Sequence, residues 1–243
     1  MHRFFVDGPA LSRSQARQVA TVLRLAPGDV IVLVRDGEEM DYRLDRVSAV
    51  AVEGTVVARR PATGEPALSL TLALPILKGE RSEEIVEAVT QLGVTRFVPY
   101  VSSRSVVRAL SPRKRERWSK IARESAETAR RGRIPLIEDA VGWDELYARL
   151  APPVIVCWER EWVARGGSRV PPGGSTVPPG GSTAEPLRRL DGDQASLVIG
   201  PEGGLSDEEV ELFHARGARV VTLGPRNLRA ETAAIAAVAV ALL

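Results

Sequence analysis

The chain has 243 residues, which is enough for one large domain or two ordinary ones. Its hydrophobic content of 44% and charged content of 26% are typical of globular proteins, and its formal net charge is +2. The N-terminus lacks the apolar core of a secretory signal, and the longest fully apolar run, residues 233–243, is shorter than the roughly 20 residues of a membrane helix. These features predict a cytoplasmic protein that does not span a membrane.

Metal sites and the common nucleotide sites have no signature in this sequence. The single Cys157 can form neither an intrachain disulfide nor a cysteine-based zinc site, and His2 and His214 are isolated. We therefore expect no metal. The phosphate-loop pattern GxxxxGK[ST] and the dinucleotide pattern GxGxxG are both missing, so P-loop and Rossmann sites have no fingerprint here.

Residues 1–66 carry short apolar strand patterns separated by turn signals. An amphipathic segment that starts at Ser12 or Ser14 and ends near Leu25 interrupts these strands. Short strands at this spacing predict a small β-barrel. The proline- and glycine-containing stretch 61–66 that follows predicts a linker.

The remaining residues, 67–243, alternate between apolar strand patterns and helix patterns. Such alternation predicts an α/β domain with a mainly parallel sheet. The helix signals are a start at Ser82, a stop at Gly93, proline at the first helical position after Ser111 and a capping box of Ser206 with Glu209.

The last helix pattern, from about Leu228, is apolar almost all the way round. A helix of that kind is buried on more than one side. Because one sheet covers only one side, we expect a second copy of the chain to cover another, which predicts a homodimer.

One stretch, residues 159–192, does not fit the alternation. It contains the sequence VPPGGST twice in tandem, at residues 170–176 and 177–183. Proline, glycine and small polar residues bury little apolar area, so this stretch is interpreted as a flexible insertion. A duplication inside a tolerant loop and a functional lid both remain open.

Two glycine-rich turns near the C-terminus predict a ligand site. IGPEGG (residues 199–204) and LGPRNLRAETA (residues 223–233) each follow a strand pattern and lead into a helix pattern. Ligands of parallel sheets bind at loops beyond the carboxyl ends of the strands, and glycine lets a ligand approach the backbone closely. We therefore expect a small-molecule cofactor at these turns.

Positive charge is concentrated in residues 104–133, which hold eleven Lys or Arg and three Glu, a local net charge of 11 − 3 = +8. Such a concentration is typical of a surface that binds a polyanion. The alternative interpretation is a solvated helix face. Taken together, the residues favour a cofactor-dependent protein with a nucleic-acid substrate, and several enzyme classes fit.

Several motifs together carry a family resemblance: LKGER (residues 77–81), LGV (residues 92–94), Trp118-x-x-Ile-Ala, IGPEGG and LGPRNLRAETA. They resemble the bacterial small-subunit ribosomal RNA methyltransferase E family of the SPOUT superfamily. The resemblance implies S-adenosylmethionine as cofactor and methylation of N3 of one uridine in the decoding region, with the assembled small subunit as partner. It also implies a C-terminal trefoil knot and a PUA-like RNA-binding barrel at the N-terminus.

Site residues follow from this resemblance as hypotheses. Arg229 would stabilise the N3 anion of uracil, and Glu202 or Glu231 would accept the proton, although both glutamates could equally be structural. The cofactor would be surrounded by Leu74, Gly200, Gly203, Leu223, Gly224, Leu228 and Thr232. RNA phosphates would contact Arg104, Arg108, Arg113, Lys114, Arg117, Lys120, Arg131 and Arg133.

The chain departs from the family pattern mainly on the RNA side, at Gln18, Ala88, Gln91, Ser103 and Thr128. In the second glycine turn Asn227 replaces a common isoleucine and could cap the last helix. Because the cofactor loops are nearly intact, these departures bear on the identity of the target nucleotide and not on the reaction type. Two other functions stay open beside this one: a non-catalytic RNA-binding or assembly factor, and ribose 2′-O methylation.

Overall fold

The computed structural model describes residues 1–8, 10–158 and 185–243, which form two compact units. The first unit comprises Met1–Glu65 and Ala122–Ile134, and the second comprises Pro66–Ile121 and Pro135–Leu243. Both copies of VPPGGST and residues 159–184 of the expected insertion lie outside the described residues.

The first unit is built on a four-stranded sheet with the order β1-β2-β3-β4. Its strands are β1 Arg3–Phe5, β2 Val30–Arg35, β3 Glu38–Val47 and β4 Val52–Pro61. Strand β1 is parallel to β2, and the other pairs are antiparallel. The apolar face of this sheet packs on Ala16 and Val19. These lie in helix α1 (Arg13–Arg17) and in the π-helical turn Gln18–Val22 that continues it. The closed barrel stays a prediction.

A segment from far along the sequence completes this unit. Ala126, near the end of helix α3 (Pro112–Thr128), packs with Phe5, Val32 and Val34 in a separate apolar cluster, with Ile134 against it. The first unit therefore includes residues 122–134, which were predicted to belong to the second domain. Burial of the outer face of β1 and β2 explains why, because these strands are apolar on both faces.

The second unit is built on a parallel sheet with the order β10-β12-β9-β11-β5-β6-β7, and β8 also pairs with β6. Its strands are β5 Ser69–Pro75, β6 Arg96–Val101, β7 Leu136–Ile137, β8 Val141–Gly142, β9 Val154–Cys157, β10 Glu185–Pro186, β11 Gln194–Ile199 and β12 Arg219–Thr222. The mainly parallel sheet is confirmed. Strand β10 was not predicted, because residues 185–192 were counted with the insertion.

Local signals placed most helix ends of the second unit correctly. Its helices are α2 Arg81–Leu92, the first part of α3, α4 Trp143–Leu146, α5 Asp207–Ala215 and α6 Ala230–Leu242. Gly93 ends α2 with φ +117°, and Ser206 and Glu209 form the capping box of α5. The Oγ atom of Ser111 accepts from the Lys114 N–H at 3.2 Å, at the start of α3. No helix in the described ranges is long and apolar enough to cross a bilayer.

Two predicted caps are wrong. The residue before α2 is Glu80, and Ser82 is instead buried, with its Oγ accepting from the Leu77 N–H at 2.9 Å. The residue before α6 is Arg229, so Asn227 lies two residues too early to cap that helix. In both cases the tertiary packing of the segment, and not the capping preference of the side chain, determines where the helix starts.

Candidate functional site

A cavity of about 540 Å³ lies at the carboxyl ends of β9, β11 and β12, which are adjacent in the sheet. Its walls are the turn after β11 (residues 200–204), the turn after β12 (residues 223–229) and the first turn of α6. Its volume lies in the range of roughly 300–1,000 Å³ that is usual for small-molecule sites. The sequence predicted this location from the two glycine-rich turns.

Glycine is required where these turns reverse direction. Gly204 has φ +70° and Gly224 has φ +102°, in the left-handed region that other residues adopt at a cost. The Thr222 Oγ1 atom accepts from the Gly224 N–H at 3.1 Å, which fixes the second turn. The backbone along both turns therefore lies open to a ligand in the cavity.

Two side chains donate hydrogen bonds to backbone carbonyls in and beside the turn after β11. The buried Tyr100 hydroxyl donates to the Ile199 carbonyl at 2.5 Å, and burial, assisted by the charge of Glu209, raises the pKa of Tyr100 well above its ordinary value. The Arg104 guanidinium donates to the carbonyls of Gly203 at 3.4 Å and Leu205 at 3.2 Å. Arg104 thus braces the turn after β11, whereas its predicted role was RNA binding.

The floor of the cavity is apolar and includes Cys157, Trp158 and Ile199, all of them buried. Burial raises the pKa of the Cys157 thiol to about 12, so this thiol stays protonated near neutral pH. Thiolate is the reactive form of cysteine, and the buried, inert thiol inferred from the sequence agrees with this environment.

We expect Cys157 to resist alkylation by iodoacetamide near pH 8 in the folded protein and to react at least about a hundredfold faster in denaturant. The folded-state pKa of about 12 exceeds the ordinary value of 9.0. Stability is therefore retained below pH 9.0 and is lost as the pH rises from there towards 12, because only the unfolded thiol ionises in that window. Mass spectrometry of labelled protein gives the rate, and Cys157→Ala is the blank. Equal rates in both states would contradict the buried environment.

Two carboxylates and one guanidinium converge on the rim of the cavity. Arg81, the first residue of α2, lies 3.7 Å from Glu202 and 3.4 Å from Glu231. The Glu202 Oε1 atom also accepts from the Lys78 N–H at 3.1 Å. All three of these charged side chains line the cavity. Arg81 was named in the LKGER motif but was missing from the predicted site, because the sequence does not show that α2 begins beside both glycine turns.

Most of the predicted cofactor residues do line this cavity: Gly200, Gly203, Leu223, Gly224 and Leu228. Leu74 and Thr232 do not. Leu74 is fully buried in β5 and pairs with Pro99 of β6. Thr232, in the first turn of α6, is exposed.

Arg229 lies on the cavity wall at the residue before α6, with φ −64° and ψ 154°. Its backbone is extended there, and its side chain is exposed. Among the described residues its guanidinium forms no ion pair or hydrogen bond. This side chain is available to a ligand, unlike that of Arg81.

The predicted RNA-binding residues of the second unit separate into two groups. Arg113, Arg117 and Lys120 share one exposed face of α3, since their spacing of four and three residues is helical. Arg104, Arg108 and Lys114 instead donate to backbone carbonyls, with Arg108 bonded to Ser102 at 3.1 Å and Lys114 to Gly79 at 3.0 Å. Arg117 of the first group is itself paired, with Glu80 at 2.9 Å and with Glu83 at 2.6 Å. Arg113, whose guanidinium has no partner among the described residues, is therefore the best phosphate-binding candidate on α3.

In the first unit, the assignment of Arg131 to RNA binding is wrong. Only 1% of this side chain is exposed, and its guanidinium pairs with the carboxylate of Glu65 at 2.7 Å. The Glu65 carboxylate also accepts from the N–H groups of Gly132 at 3.0 Å and Arg133 at 3.2 Å. Arg131 is therefore a structural residue, whereas the Arg133 side chain is exposed.

A family model described as RNA methyltransferase domain matches residues 64–242. This range includes both glycine turns and every residue on the wall of the cavity. The fold and the match together define the class of the protein, an RNA methyltransferase.

Curated relatives narrow the class to one family. The ribosomal RNA small subunit methyltransferase E of Bacillus subtilis is 30% identical, over 96% of this chain and 93% of its own length. The protein of the same name from Synechocystis is 31% identical, over 94% of this chain and 71% of its own length. The chain belongs to the ribosomal RNA small subunit methyltransferase E family.

Solved structures share this fold and include cofactor complexes. A ribosomal RNA small subunit methyltransferase E from Neisseria gonorrhoeae, bound to S-adenosylmethionine, is similar with a TM-score of 0.79 and 25% identity, over 98% of this chain and 95% of that one. A Legionella pneumophila protein with S-adenosylmethionine as bound cofactor is similar with a TM-score of 0.76 and 28% identity, over 98% of this chain and 95% of that one.

Proposed function

We propose that this protein uses S-adenosylmethionine to methylate the N3 atom of a uridine in small-subunit ribosomal RNA. One observation carries the proposal: a cavity of cofactor size, walled by two glycine turns, presents the Arg229 guanidinium and a free carboxylate oxygen of Glu231. Membership of the family supplies the class of reaction, and these two groups supply the chemistry that an N3 target requires.

The residues present fit the cofactor. The open backbone of both turns offers N–H and C=O groups to an adenosine, and the apolar floor excludes water. The carboxylates of Glu202 and Glu231 lie on this rim together with Arg81, Arg226 and Arg229, and a carboxylate placed beside the sulfonium would favour its positive charge. When bound there, S-adenosylmethionine supplies an electrophilic methyl group.

The protein must align the base with that methyl group and remove the N3 proton. Alignment alone lowers the barrier substantially. The Arg229 guanidinium would lie against a uracil carbonyl and stabilise the anion that forms as N3 loses its proton. A glutamate of the rim, Glu202 or Glu231, would accept the proton. To enter this cavity the base must leave its stack.

The exposed face of α3 formed by Arg113, Arg117 and Lys120 would contact RNA phosphates. The predicted PUA-like barrel of the first unit would contribute further RNA contacts. Phosphate contacts fix position without reading sequence, so binding is expected to weaken steeply with salt.

We expect Arg113→Ala to reduce the slope of log K against log salt by about 0.7–0.9, since one phosphate contact is lost. Fluorescence anisotropy with a labelled fragment of small-subunit ribosomal RNA measures the slope between low and physiological salt. Arg219→Ala is the matched control, because Arg219 is an exposed arginine paired with Glu185 in the second unit, outside residues 104–133. An unchanged slope for Arg113→Ala would remove α3 from the RNA surface.

The apolar face of α6 supports the proposal of a homodimer. Ala234, Ala237 and Ala241 are buried, whereas Ile235 and Val240, on other sides of the helix, are 36% and 42% exposed. A second copy of the chain would cover these two exposed side chains on the helix whose first turn forms part of the cavity wall. We also propose a C-terminal trefoil knot, on the resemblance to the SPOUT superfamily.

The proposed function is tested by mass spectrometry of small-subunit ribosomal RNA from a deletion strain. We expect one N3-methyluridine to disappear on deletion and to return when the gene is supplied again. Loss of a 2′-O-methyl nucleoside would instead identify a ribose methyltransferase. Unchanged methylation, together with failure of the purified protein to bind S-adenosylmethionine in calorimetry, would indicate a non-catalytic RNA-binding factor.

A further inference from the structure

The two glutamates at the rim have different environments, although both were equal candidates for the proton acceptor. Glu202 uses Oε1 twice, as acceptor from the Lys78 N–H at 3.1 Å and as the atom nearest to Arg81 at 3.7 Å. Glu202 is thus tied to the loop before α2. Its contacts are those of a residue that orders the turn after β11.

Glu231 is held by one oxygen only. Its Oε1 atom lies 3.4 Å from the Arg81 Nε atom, and its side chain is 17% exposed. Its Oε2 atom is buried and has no hydrogen-bond partner among the described residues. A buried acceptor without a partner is costly, so such an atom marks a place where a ligand donor is expected.

Arg81 links the two carboxylates across three elements: α2, the turn after β11 and the first turn of α6. Its side chain is 44% exposed, so its charge is partly screened by water. Its ion pair with Glu231 is to Oε1, which leaves Oε2 for another donor. The other charged groups on the cavity wall around Glu231 are Glu202, Arg226 and Arg229.

We infer that Glu231 is the carboxylate that accepts the N3 proton and that Arg81 is a positioning residue that aims its Oε2 atom at the base. This inference rests on the proposed function and assigns the proton to one of its two candidate acceptors. The N3–H bond breaks and the proton passes to Glu231 Oε2. The N3 electron pair then forms the new bond to the methyl carbon, and the sulfonium leaves as a neutral thioether.

The test combines single-turnover methylation of assembled small ribosomal subunits with calorimetric binding of S-adenosylhomocysteine. Glu231→Gln is expected to slow methyl transfer by about 10²–10⁴-fold while the binding constant changes by less than about threefold. Glu202→Gln is expected to slow it by less than about tenfold. The exposed Glu84→Gln on α2 is the matched control, with an unchanged rate.

The pH dependence separates proton transfer from a structural role. The rate of Glu231→Gln is expected to rise by about tenfold per pH unit in alkaline solution, because hydroxide then removes the N3 proton, whereas the wild-type rate changes little. Arg81→Ala is expected to lose about 10²-fold through misplacement of Glu231, and Arg81→Lys to recover part of that loss.

Three outcomes would overturn the inference. The first is a Glu231→Gln rate within tenfold of the wild type. The second is a larger loss for Glu202→Gln than for Glu231→Gln. The third is a dissociation constant of Glu231→Gln for S-adenosylhomocysteine that rises in parallel with the fall in rate. Weaker cofactor binding of that kind would make Glu231 a cofactor ligand. Failure of the proposed function is recognised separately, since the wild-type product would then carry its methyl group on another atom or not at all.

Discussion

Replacement of Glu65 by alanine is expected to lower the free energy of unfolding of the first unit by about 3–5 kcal/mol. The Arg131 side chain is 1% exposed, and its guanidinium donates to Glu65 through Nε at 3.2 Å and through Nη2 at 2.7 Å. Without the carboxylate, the buried guanidinium loses two hydrogen bonds, and the N–H groups of Gly132 and Arg133 lose the Glu65 acceptor. Urea denaturation measures the loss in free energy of unfolding, and hydrogen exchange at residues 122–134 assigns that loss to the first unit.

The chain offers a matched control in an exposed ion pair of the same unit. Arg59 and Glu38 lie 2.7 Å apart with 53% and 45% of their side chains exposed, so Glu38→Ala is expected to cost at most about 1 kcal/mol. If Glu65→Ala shifted the urea midpoint no more than Glu38→Ala does, the buried pair of Glu65 and Arg131 would contribute no more to stability than an exposed pair. The argument that Arg131 is a structural residue and not an RNA-binding one would then fail.

Local sequence signals predicted much of the second unit because they act over a few residues. The capping box of Ser206 and Glu209, the stop at Gly93 and the proline start of α3 all require only neighbours along the chain. The two glycine turns predicted the cavity for the same reason. Each needs only a strand before it and a helix after it, and the parallel sheet brings them together.

Long-range pairing is what the sequence could not show. Arg131 looked like one more cation of a basic segment, since Glu65 lies 66 residues away. Arg81 looked like part of a motif without a role, because its partners Glu202 and Glu231 come more than a hundred residues later. Leu74 was assigned to the cofactor through the family resemblance, yet the sheet buries it completely.

Replacement of Arg229 by alanine is expected to slow single-turnover methyl transfer by about 10²–10³-fold. The affinity for S-adenosylhomocysteine, measured by calorimetry, is expected to change by less than about threefold, because in the proposed role the guanidinium would meet charge that develops only on the base. The matched control is Arg226→Ala, since Arg226 is a second exposed arginine on the same turn and the same cavity wall. A general effect of positive charge would slow both variants alike.

Chemistry of the base gives a sharper test of the same role. In RNA that carries 5-fluorouridine at the target position the N3 proton is more acidic, so the anion needs less stabilisation from the protein. The loss of rate of Arg229→Ala relative to the wild type is therefore expected to be smaller on that substrate. A loss of rate caused by misplaced RNA would be the same on both substrates. The rate of methyl transfer by Arg229→Lys is expected to fall between those of the wild type and Arg229→Ala, because lysine keeps the charge but not the planar pair of donors. An undiminished deficit on 5-fluorouridine would assign Arg229 to RNA positioning instead of anion stabilisation.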